Sequence, residues 1–352
     1  MARVRVRGEE VRRFILDNLN KHGADIASVA REKFDITRQA VNKHMQKLVL
    51  EGCVEVAGNT RNRSYRLAQL HEWIHAYQLG LGVGEDQIWS ADIRAELGKL
   101  PDNVMDIWHY GFTEMFNNVI DHSAGAVVTV KVAKTAATAE MVILDNGVGI
   151  FRKIQKQMGL LDERHAILEL AKGKLTTDPT RHSGEGIFFT SRLFDSFRIM
   201  SGGVYFAHDF GDDEDWILES EESSGTAVFM GLHNHTARTT KKIFDQYSSG
   251  EDYGFNKTVV PLKLAQYGND KLISRSQAKR VLARVDLFKS VVFDFKEVSA
   301  IGQAFADEIF RVFASEHPAM DLIATNTNSE VKRMIARAKG GLVGYRASGK
   351  ST

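Results

Sequence analysis

Residues 112–123 read FTEMFNNVIDHS, and this stretch decides how the rest of the chain is read. Phe112, Met115, Phe116, Val119 and Ile120 recur at helical spacing and predict one apolar face. Glu114, Asn118 and His122 follow one another at four-residue steps, so their side chains stack along a different face. That face carries a carboxylate, an amide and an imidazole, and no lysine or arginine. Alone, such a stripe also fits an ordinary solvent-facing helix surface. Three downstream pieces weigh against that bland reading. DNGVGI at 145–150 directly follows the apolar run MVIL, HSGEGI at 182–187 directly precedes a helix-like segment at 188–197, and GTAVFM at 225–230 opens a strand-like run.

In order and spacing these four pieces resemble the N, G1 and G2 boxes and the final Gly-Thr strand of the GHKL ATP-binding family. That family covers gyrase-type, heat-shock-chaperone, histidine-kinase and mismatch-repair ATPases and the anti-sigma-factor serine kinases. The resemblance spans residues 74–232 and implies the Bergerat α/β sandwich, with ATP and Mg2+ as ligands. It makes Asn118 the magnesium ligand and Glu114 the general base of the hydrolysing and serine-kinase members. A carboxylate at that place can orient a water or a hydroxyl and take its proton. His122 falls where it meets a phosphate or fixes the helix end. Asp145 matches the adenine-reading aspartate, and Thr226 the threonine supporting the adenine side of the pocket. Gly147 and Gly149 let the backbone approach the nucleotide without a Cβ. Gly184 and Gly186 open a helix whose free N–H groups and dipole favour phosphate. Residues 151–183 should include the family's mobile lid, with Lys172, Lys174 and Arg181 as candidate phosphate contacts.

The 352 residues suggest two or three domains, and 43% hydrophobic with 26% charged content is ordinary for globular protein. No run of about 18 apolar residues is present, so no membrane span is expected. The opening MARVRVRGEE has no apolar core behind its basic residues and does not read as a secretory signal. Cys53 is the single cysteine, which excludes an intrachain disulfide and a cysteine-based zinc site, and the cytoplasm is the expected compartment. The net charge of +1 hides an asymmetry. Residues 1–70 carry 14 Lys/Arg against 8 Asp/Glu, whereas 209–222, DFGDDEDWILESEE, is strongly acidic and reads as a solvated hairpin.

Residues 1–70 read as three helices (9–22, 26–34, and one after Thr37) followed by strands at 53–57 and 64–67 around the turn GNTRNR. Asp25 is placed to cap the second helix, Thr37 to cap the third and Gly52 to end it. The stretch ITRQAVNKHMQKLVLEG at 36–52 resembles the winged helix-turn-helix family. The resemblance implies double-stranded DNA as a partner, with Thr37, Arg38, Gln39, Asn42 and Lys43 facing base edges and Arg61 and Arg63 in the wing. A small helical domain used only for protein contacts remains the other reading. Residues 71–84 are expected to form a connecting helix and a glycine-rich joint, LGLGVG, and 85–100 a helix leading into Pro101.

From Lys271 helix-like and strand-like segments alternate: 274–285, 290–295, 302–314, 322–325 and 329–338. Ser274 and Gln277 are spaced as a capping box. Such alternation predicts a small α/β domain. VVFDFKEVSAIGQAFADEIFRVF at 291–313 resembles the STAS domain of anti-sigma-factor antagonists, and more closely a STAS-like domain of unknown function. STAS antagonists accept phosphate on a serine near the start of the second helix. Gly302, Gln303 and Ala304 stand at the matching positions, and Ser299 lies about one turn early, so a docking or regulatory module is expected. GYRASGKS at 344–351 satisfies the P-loop pattern, but no helix is expected after the lysine, and it reads as a chance match. His233 and His235 lack a third metal ligand and read as surface residues.

The expected organisation is α+β and multidomain: a winged helix at 1–70, a GHKL domain with its connecting helix at 71–237, a STAS-like domain at 238–340 and a flexible tail at 341–352. The expected function is an ATP-binding, ATP-hydrolysing regulator whose nucleotide state controls DNA or partner binding. The alternative is a serine/threonine kinase of the anti-sigma type acting on a separate protein. A histidine-kinase remnant ranks last, because no phosphoacceptor helix precedes residue 112 and His109 lies too close to it. A protein partner at the STAS-like domain is a further expectation, and a homodimer is one outcome the resemblances allow.

Overall fold

The structure is a computed structural model that describes residues 2–59, 62–80, 82, 84–175, 183–211, 214–248, 254–266 and 271–347. It is α+β, with helices and, among the described residues, three separate sheets.

The chain opens with α1 (Ala2–Asn18), α2 (Ile26–Phe34) and α3 (Arg38–Leu50), then the antiparallel hairpin β1 (Val54–Ala57) and β2 (Ser64–Leu67). Val11, Ile15, Leu19, Ile26, Ala30, Val41, Met45, Leu48 and Val54 form a core of their own. The Thr37 hydroxyl accepts from the Ala40 N–H at 3.2 Å and caps α3. At the far end Gly52 N–H donates to Val49 O and Cys53 N–H to Leu48 O, a Schellman closure in which Gly52 takes φ +71°. Asp25 does not cap α2; its carboxylate is 3.1 Å from His22 Nδ1 instead.

The central sheet has the order β3 (His71–Gln78), β4 (Val127–Lys134), β5 (Thr138–Asp145), β7 (Glu214–His233), β6 (Ser196–Asp209), antiparallel throughout. β3 replaces the connecting helix expected at 71–84. Trp73, His75 and Tyr77 alternate with Glu72, Ile74 and Ala76, and the former sit opposite Val132, Val130 and Val128 of β4. Val128, Val130 and Val132, Ala139, Met141 and Ile143, and Phe197 and Ile199 are fully buried on one face, while Ile74 and Leu144 on the other are exposed. Of the acidic stretch, Asp209 ends β6 and pairs with Glu214, and residues 214–222 lie on the outer part of β7.

The buried face is covered by α6 (Asp102–His122), preceded by α4 (Glu85–Ile88), a π-turn (Trp89–Ile93) and α5 (Arg94–Leu97). Val104, Ile107, Trp108, Phe112, Met115, Phe116 and Val119 of α6 are buried at helical spacing, each large side chain contributing about 1.5–3 kcal/mol. Ile120, expected on this face, is largely exposed. After β5 come α7 (Ile150–Met158), α8 (Glu163–Lys172) and α9 (Gly186–Leu193). α9 stops earlier than the helix expected at 188–197, because Phe194 turns extended and Ser196 begins β6. α10 (Thr240–Tyr247) follows β7 and packs on α6 and α9 through Phe244, whose ring is 5.3 Å from Tyr110 and 4.5 Å from Phe189.

The third sheet is parallel, with order β10 (Asp321–Thr325), β9 (Ser290–Asp294), β8 (Lys257–Pro261). Around it lie α11 (Arg275–Leu282), α12 (Gln303–Asp307) running through a π-turn (Glu308–Phe313) into α13 (Ala314–Glu316), and α14 (Ser329–Ala347). The Ser274–Gln277 capping box is formed. α14 continues to Ala347, past the expected end at 338, so the first half of the P-loop-like string is helical. Among the described residues no helix is long and apolar enough to cross a membrane.

The central and C-terminal parts share one continuous core. Its bridge is aromatic: Phe188 lies 4.5 Å from Phe255, and Phe255 lies 5.2 Å from Phe288, ring centre to ring centre.

Candidate functional site

Between α6, the β5–α7 corner, β7 and the start of α9 lies a cavity of about 240 Å³. Glu114, Asn118 and His122 line one side from consecutive turns of α6. Asp145, Ile150, Lys153 and Ile154 line it from the β5–α7 corner, and Ile199, Thr226 and Val228 from the sheet. Leu170, Leu175, Ser183, Gly184, Gly186 and Ile187 complete the opposite wall. Residues scattered over 115 positions of sequence therefore converge on one apolar chamber with a few polar groups, the usual make-up of a small-molecule site.

The Asp145 carboxylate is buried at 4% exposure. Burial pushes its carboxyl above the usual range, against the bonds from Gly147 and Thr226. Oδ1 accepts from Gly147 N–H at 2.7 Å. The Thr226 hydroxyl accepts from Ile150 N–H at 3.0 Å, which ties the corner to β7. Asn146 Oδ1 accepts from Ala126 and Val127 N–H at 2.9 and 3.0 Å, and Val148 N–H donates to Ser123 O at 2.9 Å. The turn is thus bound to the end of α6. A Cβ on Gly147 would sit 2.0 Å from Ser123 O, so only glycine fits there. Gly147 and Gly149 act by allowing this corner, and neither is among the described lining residues.

Opposite Asp145, α9 begins at Gly186. A Cβ there would stand 2.1 Å from Glu114 Oε2, so the bare helix start and the carboxylate are pressed together. Glu185, at the N-cap position, has its carboxyl pushed up by burial. Burial and the carboxylates of Glu114 and Glu185 push the Tyr110 phenol, one turn before Glu114, well above its ordinary value.

Lys153 was not anticipated. Its Nζ donates to His122 O at 2.8 Å, and burial pulls it below the ordinary lysine value. Among the described lining residues it is the one lysine or arginine. Its signal was its place in the first turn of the helix after DNGVGI, where Lys153 N–H bonds Gly149 O at 3.1 Å.

The expected lid cations go elsewhere. Lys172 is fully buried, and its Nζ donates to Glu169 Oε1 at 2.7 Å, Ala283 O at 2.8 Å and Arg280 O at 3.2 Å. An ammonium has three donors, so none is left for a phosphate. Lys174 Nζ donates to Leu287 O at 2.9 Å and lies 4.7 Å over the Phe288 ring. Both are drawn to the C-terminal part because the short α8 ends against it. Arg181 lies outside the described residues.

In the N-terminal part Arg38, Gln39, Asn42 and Lys43 are exposed along one edge of α3, with Thr37 at its cap and Val41, Met45 and Leu48 buried behind. Arg63 is exposed, 5.3 Å over the Tyr65 ring, and Arg61 lies outside the described residues. Among the described residues no group of three or more His, Cys, Asp or Glu side chains could hold a metal. His233 instead has its Nδ1 2.9 Å from Asp195 Oδ2.

A family described as STAS-like domain of unknown function (DUF4325) matches residues 277–332, from α11 through β9 and β10 to the start of α14. Residues 277–332 form a STAS-like domain. No curated protein matches the chain. In the STAS-like domain Gly302 stands at the N-cap of α12, followed by Gln303, whose amide bonds Asp307 at 2.9 Å. Ser299, the hydroxyl nearest in sequence, is exposed three residues before that cap.

Proposed function

We propose that the cavity binds ATP with Mg2+ as a GHKL-type site, and that the protein is a nucleotide-dependent regulator. In this reading 1–70 is a winged helix for double-stranded DNA, 71–237 the nucleotide-binding unit and 238–340 the STAS-like unit that docks a protein partner, its last helix α14 running on to Ala347 in place of the tail expected from 341. The observation that carries it is the pairing, across one chamber, of a buried Asp145 carboxylate braced by Gly147 and Thr226 with Glu114 and Asn118 beside a glycine-led helix start.

Asp145 accepts a hydrogen bond from the exocyclic amine of adenine, with the apolar side chains of Ile199 and Val228 beside the ring. The start of α9 and the Lys153 ammonium face the phosphates. Asn118 would hold magnesium through its amide oxygen, which suits an ion that takes one or two protein oxygens and fills its shell with phosphate and water, and this leaves the Glu114 carboxylate to act as a base. Such an ion would supply positive charge against the charge developing on the phosphates. Glu114 orients a water and takes its proton, and slow hydrolysis resets the switch. Coupling to DNA requires that ATP favour one arrangement of the chain over another, and any effect of ATP on DNA affinity must be matched by an equal effect of DNA on ATP affinity.

Protein incubated with Mg2+ and γ-labelled ATP tests the reading. Free phosphate from the wild type, reduced about 10²–10⁴-fold in Glu114→Gln with ATP still retained, is the expected result. Label on a co-purifying protein would shift the reading to a serine/threonine kinase. Turnover unchanged in Glu114→Gln would remove Glu114 from the chemistry.

A further inference from the structure

One wall of the cavity is held by the STAS-like domain. Leu170 and Leu175 line the chamber, and the segment between them makes repeated hydrogen bonds to residues more than 80 positions away. Lys172 spends its three donors on Glu169, Arg280 O and Ala283 O. Arg284 Nη1 donates to Glu169 Oε2 at 2.9 Å, and Nη2 donates to Gly173 O at 3.0 Å and to Lys174 O. A guanidinium thus caps the C-terminus of α8, where the helix dipole favours a cation. Thr258 Oγ1 adds a bond to Lys172 O at 2.6 Å. Lys174 takes φ +51°, a conformation side-chain-bearing residues hold only when their surroundings impose it, and Arg284 and Leu287 do so. The next residue, Leu175, donates its N–H to Gly184 O at 3.1 Å, two residues before the helix start that abuts Glu114.

We infer that Arg284 is a positioning residue for the nucleotide, and that the STAS-like domain is a structural part of the site rather than an appended module. The inference rests on the nucleotide reading above. Contacts run from Arg284 through Gly173 and Lys174 to Leu175, from Leu175 to Gly184, and from Gly186 to Glu114. Each step is a bond or a close packing contact, so a displacement of α11 and the turn after it moves the wall facing the phosphates. The Asp145 and Thr226 end is braced separately by the sheet and is untouched. A partner that shifts the STAS-like domain would therefore tune ATP affinity while leaving adenine recognition intact.

The test is equilibrium titration of the full chain with Mg·ATP and, separately, with adenosine. Arg284→Ala should weaken ATP about tenfold or more, within the range of ordinary coupling between sites, and adenosine by less than about twofold. Arg284→Lys, which keeps the charge and some donors, should recover part of the loss. Thr258→Val, which removes one hydrogen bond and keeps the shape, should weaken ATP about two- to fivefold and decides the matter if Arg284→Ala does not fold. Equal losses for ATP and adenosine would mean general loosening and overturn the inference, as would unchanged ATP affinity in every variant. A wild type that binds adenosine and ATP not at all removes the nucleotide reading itself, and the inference with it.

Discussion

The two walls of the cavity are built on different principles. The wall bearing Asp145 and Thr226 closes on its neighbours within the sheet, through Gly147 N–H, Ile150 N–H and Asn146. The wall bearing Leu170 and Leu175 closes on residues near 258 and 280–287, through a fully buried Lys172 and the Arg284 guanidinium. The first is a rigid corner that a ligand finds ready. The second is a joint between two parts of the chain, whose geometry depends on both. The contrast teaches that a charged residue beside a ligand cavity need not serve the ligand. Lys172 and Lys174 stand in the stretch where phosphate contacts were expected and bind backbone carbonyls of another unit, whereas the unheralded Lys153 faces the chamber.

The sharpest way to break the comparison is Lys172→Met. It strands Glu169 beside Arg284 alone and empties two carbonyls, and removing one partner of a buried ion pair costs about 3–5 kcal/mol. Urea unfolding should show that loss; a change under about 1 kcal/mol would mean the joint is not held by this charge. Lys153→Met is the converse case. Its ammonium donates to the His122 carbonyl at the partly exposed end of α6, so stability should move little, while Mg·ATP affinity should fall about tenfold, the worth of one charge-assisted hydrogen bond. Unchanged affinity would take Lys153 out of the site.

A third junction should be the weakest of all. Burial disfavours the charged form of Asp195, but the bonds from His233 and Arg238 outweigh it and hold the carboxyl at about 2. The bond to Asp195 raises His233 above its ordinary 6.5, against burial. The His233 contribution is thus complete below pH 6.5 and fades as pH rises through its raised value. The Asp195 contribution is present above 3.8 and fades as pH falls toward 2. Because the His233 side chain is 41% exposed, the loss between pH 6 and pH 9 should stay under about 1 kcal/mol. Melting curves of wild type and His233→Gln measure it, and identical pH slopes for the two would exclude this pair as the source.

Most helices and strands were legible because their signals are local. Thr37 and Ser274 cap the helices they were placed to cap, and Gly52 ends α3. Of the residues expected together, Glu114, Asn118, His122, Asp145, Gly184, Gly186 and Thr226 line one cavity, Gly147 and Gly149 shape its corner, Lys172 and Lys174 bond elsewhere, and Arg181 lies outside the described residues. β3 was misread because Trp73, Ile74 and Tyr77 imitate helical spacing, and only the pairing with β4 reveals the alternation of Trp73, His75 and Tyr77. α9 was read too long because the apolar run continues through Phe194 and Phe197, which belong to the turn and to β6. The destinations of Lys172 and Lys174 were illegible for a different reason: apart from Glu169, three residues before Lys172, their acceptors are backbone carbonyls 108 to 113 residues further on, beyond the reach of any spacing rule.

The central claim is that Asp145 reads adenine in this cavity. Calorimetric titration of Mg·ATP into the wild type and Asp145→Asn tests it most directly. The account predicts one site in the wild type and a loss of about ten- to a hundredfold or more in Asp145→Asn, the cost of leaving a buried hydrogen bond mismatched. Equal affinity in the two proteins, or no heat of binding in the wild type, would contradict it.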